Sequence, residues 1–128
     1  LYSEYFGPER YAGNLGFTPI APGDATSSYT IVDAGPAPML VLSIGYGYGE
    51  RELAWAEEVV RTHPGHNVIV ATHEHLTPMT PYDPARRATD NRWLSSADEL
   101  WQRVVAPNRN VVAVLAGLDQ TTAAERVT

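Results

Sequence analysis

At 128 residues with 44% hydrophobic content, the chain has the length and composition of one soluble globular domain. Its net charge of −6 and pI near 5.0 argue against broad binding to a nucleic-acid backbone, which needs clustered positive charge. All nine basic residues are Arg and Cys is absent, which excludes lysine Schiff bases, disulfides, thiolate nucleophiles and cysteine-ligated zinc.

The opening residues LYSEYFGPERY lack the basic start and apolar core of a signal peptide. The chain begins at Leu1 rather than Met, and we expect a processed protein or a piece of a longer one. Nowhere does an apolar run reach the roughly 20 residues that span a bilayer. Residues 1–28 scatter Tyr2, Tyr5, Phe6, Tyr11 and Phe17 among glycines and prolines, without a period. They read as an irregular segment laid over a partner surface.

A short strand is expected over Tyr29 to Asp33, then a turn with Gly35, Pro36 and Pro38, then an apolar strand over Met39 to Ile44. The two strands form a plausible hairpin. The loop Gly45-Tyr46-Gly47-Tyr48-Gly49 follows. It lacks the spacing and the lysine of a nucleotide-binding loop, so plain turn geometry is the simpler reading. From Glu50 to Thr62 the period is helical, with Leu53, Ala56, Val59 and Val60 on one face. Pro64 and Gly65 stop this helix. His63 and His66 flank the stop and read as cap or surface residues.

Asn67 to Thr72 is a strand apolar enough to be covered on both faces, and it runs into His73, Glu74 and His75. Leu76 to Arg92 is a long polar loop of the kind that covers a binding edge, and its charges read as solvated. Ser96 with Glu99 makes a capping-box pattern ahead of Leu100, Trp101, Val104 and Val105, and Pro107 ends that helix. Asn110 to Ala116 is a third apolar strand, and residues 117–128 read as loop or tail.

The expected class is therefore α/β, with a βαβαβ unit from about residue 39 to 116. Helical crossovers make its three strands parallel and right-handed. One domain spans 1–128: an irregular segment 1–28, a core 29–117 and a tail 118–128. The sheet is small, and its second face needs cover from residues 1–28 or from other protein.

Ligands of open α/β sheets gather beyond the C-terminal strand ends. Those ends carry Tyr46 and Tyr48, then His73, Glu74 and His75, then Gly117-Leu118-Asp119-Gln120. In extended backbone His73 and His75 point to opposite faces, with Glu74 pointing away from both. Two readings of His73 stay open: a metal ligand through one imidazole nitrogen, or a histidine bonded to neighbouring backbone. A single-ion site from His73, His75 and Asp119 suffers from the same alternation.

Several pieces, in order and spacing, resemble the C-terminal part of the calcineurin-like metallophosphoesterases. They are Tyr5-Phe6-Gly7-Pro8 with the Tyr11 region, Ser28-Tyr29, Met39 to Ile44, Leu53-Ala54-Trp55-Ala56, Val68 to His73, Leu100-Trp101, Asn110-Val111 and Leu115-Ala116-Gly117. The resemblance implies a β-sandwich flanked by helices and a dinuclear Mn, Fe or Zn centre that hydrolyses phosphate mono- or diesters. Three of the five ligand blocks of such enzymes would lie upstream of Leu1. The fourth falls on His73. The fifth, a Gly-His-x-His block, falls on Gly117-Leu118-Asp119-Gln120, where both histidines are replaced. Asp119 and Gln120 remain as weak candidate ligands.

The resemblance thus implies a fragment of a metal-dependent phosphoesterase that is not catalytic alone. The alternative is a degenerate, non-catalytic binding or interaction domain of the same fold. The implied partners are the missing N-terminal half of the domain or a second copy of the chain, and a phosphoester small molecule. Tyr46, Tyr48, Glu74 and His75 are the expected substrate edge, and the implied location is a bacterial secreted or cell-surface protein.

Overall fold

The computed structural model describes residues 4–5, 7–11, 13, 16–33, 35–73, 75 and 97–117. The strands are β1 (Phe17–Ala21), β2 (Asp24–Val32), β3 (Met39–Ser43), β4 (Asn67–Thr72) and β5 (Val111–Ala116). They form one five-stranded sheet in the order β1-β2-β3-β4-β5. The pairs β1–β2 and β2–β3 are antiparallel, whereas β3–β4 and β4–β5 are parallel. The sheet is therefore mixed. Helix α1 (Glu50–Thr62) lies between β3 and β4, and α2 (Ala97–Leu100) precedes β5, running on into a π-helical stretch, Trp101–Val105.

The expected hairpin and the expected parallel strands both form. One difference lies at the start, where residues 17–21 and 24–28 belong to strands rather than to an irregular segment. Pro22 and Gly23 sit at the turn between β1 and β2, and Gly23 takes the positive φ (77°) that glycine tolerates. Pro19 is accommodated because β1 is an edge strand, and the register shifts between Pro19 and Ala21. The Ser96 cap, the loop 76–92 and the tail 118–128 lie outside the described residues.

Register partners share a face of the sheet, and successive residues alternate. One face carries Leu40 and Leu42 of β3 beside Val68 and Val70 of β4, all fully buried. The Leu53, Ala56, Val59 and Val60 stripe of α1 packs in the same core, together with Leu100, Val104 and Val105. Each buried aliphatic side chain contributes about 1.5–3 kcal/mol. Both helices lie on this face, as right-handed crossovers between sequential parallel strands require.

The opposite face pairs Val32 with Met39, Val41 with Ile69, and Ala71 with Leu115. None of the six is buried, and Val32 and Leu115 are 43% and 57% exposed. Among the described residues there is a single sheet and no second one across this face. A β-sandwich is thus not seen here, and the observed architecture is a mixed sheet with helices on one side.

Helix α1 begins where Glu52 accepts the Gly49 N–H (2.8 Å), and Glu50 and Glu52 complement the positive end of the helix dipole. Arg103 of the π stretch joins the two helical segments, donating to Glu57 (2.8 Å) and Glu50 (2.5 Å) of α1. These bonds hold both carboxyls below their usual range, with the Arg103 hydrogen bonds as the main cause.

Two predictions follow from this packing. Leu42→Ala empties a fully buried position and should cost about 2–5 kcal/mol in urea unfolding. Arg103→Met should cost stability at neutral pH. A depressed carboxyl pKa stabilises the fold above its unfolded value and stops doing so as pH falls through the folded value. The difference between Arg103→Met and the parent should therefore shrink on acidification through the ordinary glutamate range and below, as read from urea midpoints across pH.

Candidate functional site

The C-terminal ends of β3, β4 and β5 meet. Ile44 N–H donates to the Ala71 carbonyl (2.8 Å), and Gly117 N–H donates to the His73 carbonyl (3.2 Å). Tyr46, His73 and Gly117, far apart in sequence, thus share one edge. Tyr46 is 58% exposed and meets the His73 ring edge-on, with centroids 5.1 Å apart and planes at 72°.

His75 goes elsewhere. It is 3% exposed and lies tilted against Trp101, with centroids 6.3 Å apart, on the helical side of the core. The alternation read from sequence therefore separates the two imidazoles. Tyr48 is likewise buried, at 3%, within the main core cluster. Of the expected substrate-edge residues, Tyr46 stands exposed at the edge while Tyr48 and His75 are buried. Glu74, Leu118, Asp119 and Gln120 lie outside the described residues.

The glycine loop has a structural explanation. Gly47 has a positive φ (72°). Gly45 lies so close to the Thr26 carbonyl oxygen that a Cβ there would clash with backbone. Ser27, 1% exposed, accepts the Gly45 N–H at 2.9 Å and holds the loop onto β2. This serine is a positioning residue that the sequence does not single out, because its partner lies 18 residues away.

Asp24, also on β2, accepts hydrogen bonds from the Thr26 hydroxyl and amide and pairs with Arg51 of α1 at 3.0 Å. The Thr26 hydroxyl, then its amide, and then Arg51 hold the Asp24 carboxyl below its usual range. This pair braces the start of α1 beside the loop.

Next to the loop is an open cleft of about 280 Å³, lined by Tyr11, Phe17, Ala25, Thr26, Ser28, Ser43, Ile44 and Gly45. Tyr11 and Phe17 form one wall, with ring centroids 5.3 Å apart. Among the described residues, the lining holds hydroxyls and rings without a charged side chain.

A dinuclear metal centre needs several imidazole and carboxylate ligands around two ions. Among the described residues, no three His, Cys, Asp or Glu side chains come together to hold a metal ion. His73 and Tyr46 by themselves do not make up such a ligand set among the described residues.

No family model matches the chain, and no solved structure does. The chain is similar to a Bacillus subtilis (strain 168) protein described as "Uncharacterized protein YvnB", with 24% identity over 116 residues. The match covers 91% of this chain and 8% of that protein, so the chain spans under a tenth of the length of this relative.

Ser27→Ala strips the acceptor from the Gly45 N–H and should destabilise the fold by about 1–3 kcal/mol in chemical denaturation. Tyr46→Ala, at an exposed position, should change stability by less than about 0.5 kcal/mol. It should nevertheless shift the His73 imidazole resonances through loss of the ring current, while leaving those of His63 and His66 in place.

Proposed function

We propose that this chain is a non-catalytic interaction domain related to the calcineurin-like metallophosphoesterases. Its sheet packs against further protein rather than turning over a substrate by itself. The observation that carries this reading is the apolar face of Val32, Met39, Val41, Ile69, Ala71 and Leu115, half-buried to exposed among the described residues. An apolar sheet face of this kind is stabilised by exclusion of water, and contiguous exposed apolar surface marks interaction sites. The partner is either the protein that completes the same fold or a second copy of the chain.

The ligand chemistry supports the same reading. Leu118 cannot bind a metal, and Gln120 offers only a neutral amide oxygen in place of imidazole. A second reading keeps the hydrolase. In it, the chain is one part of a divalent-metal phosphoesterase, His73 is one ligand, and further protein supplies the other ligands. The shared edge of Tyr46, His73 and Gly117 favours this reading.

Sedimentation and hydrolysis assays distinguish the two. The chain alone should associate at micromolar concentration, and Leu115→Glu should return it to a monomer without unfolding it. A cooperative monomer that excludes apolar dyes would overturn the interaction reading. With Mn²⁺, Zn²⁺ or Fe²⁺ added, the chain should not hydrolyse p-nitrophenyl phosphate or its bis-ester. Metal-dependent turnover lost in His73→Ala would establish the hydrolase instead.

A further inference from the structure

At the opposite end of β4 from His73, the turn His63-Pro64-Gly65-His66 joins α1 to β4. It is held from several sides. His63 N–H donates to the Val60 carbonyl (3.2 Å) and His66 N–H to the His63 carbonyl (3.1 Å). The Asn110 side-chain amide donates to the carbonyls of both histidines, at 3.1 and 3.2 Å. The backbone that carries the two imidazoles is thus fixed before any ligand arrives.

The rings are also placed. His63 Nδ1 lies 2.7 Å from the Val59 carbonyl, and because a carbonyl can only accept, that nitrogen carries the proton. Its Nε2 is therefore the lone-pair nitrogen. A backbone carbonyl bonded to one ring nitrogen is the usual way of aiming the other at a metal. Tyr29 packs against the same ring, with centroids 5.2 Å apart. The His66 ring stands 5.2 Å from that of His63 at 85°, and His66 Nδ1 is shielded from solvent with no hydrogen-bond partner. Two imidazoles on one tetrahedral ion, with metal–nitrogen bonds of about 2.0–2.1 Å, hold their centroids roughly 5 Å apart.

We infer that His63 and His66 form a binding site for one late transition-metal cation, such as Zn²⁺. His63 binds through Nε2 and His66 through Nδ1, and water completes the shell. The ion gives the buried His66 nitrogen the partner it lacks and ties the end of α1 to the start of β4. Imidazole ligands of this kind favour Cu²⁺ over Zn²⁺ and exclude Mg²⁺. Asn110 is a positioning residue for the pair.

The test is a titration of the 128-residue chain with zinc chloride, read by imidazole ¹⁵N resonances and by thermal unfolding. His63 Nε2 and His66 Nδ1 should shift along one saturating curve at sub-millimolar zinc, and the unfolding midpoint should rise with zinc concentration. His66→Ala should abolish both effects. The His66 Nδ1 makes no hydrogen bond among the described residues, so this variant tests the site even where His63→Ala fails to fold. Asn110→Ala should weaken binding by about tenfold, and His73→Ala should leave it unchanged. Zinc saturation that survives His66→Ala, or millimolar zinc that leaves both rings unshifted, would overturn the assignment.

Discussion

Leu40, Leu42, Val68 and Val70 are sealed from water beneath α1 and the π-helical stretch, and the other contacts of the structure depend on this layer. It sets the register of β3 on β4, because a slip of one residue would turn all four side chains to the other face. It also sets the side on which the helices lie. Once the order β3, α1, β4, α2, β5 is in place, right-handed crossovers leave only one face for both helices. Arg103, bridging Glu50 and Glu57, then adds a polar seam across the outside of that layer.

The same constraint creates the feature that shapes the functional reading. With both helices on one face, the described residues place no second sheet over the other face of β3, β4 and β5. Its residues are as apolar as those of the covered face, with Val41 and Ile69 standing where Leu40 and Val68 stand one position earlier. Among the described residues, helices cover one of these two faces. That asymmetry among the described residues, more than any single side chain, is what the proposed interaction role rests on.

The edge where chemistry would be sought is assembled from the ends of three strands. Three strand ends meet there, and they bring an exposed phenol, one imidazole and a glycine amide together. The imidazole that sequence places two residues further on is drawn into the core beside Trp101 instead. The better organised pair of histidines is at the other end of the strands, where the end of α1 meets the start of β4 and Asn110 clamps the turn.

The sequence by itself determined the α/β class, the parallel strands from Met39 to Ala116, the bounds of α1 and the divergence of His73 from His75. Each of these rests on local periodicity, and periodicity is written in neighbouring residues. The Gly- and Pro-rich start concealed β1 and the early part of β2, because their pairing lies between segments whose own pattern is weak. Ser27 beneath Gly45, Asn110 across the His63–His66 turn and the edge-on contact of Tyr46 with His73 depended wholly on the tertiary structure. Their partners lie 18 to 47 residues apart in the chain. No local pattern encodes such a meeting: it follows from which strand lies beside which, and the burial of the shared apolar layer decides that.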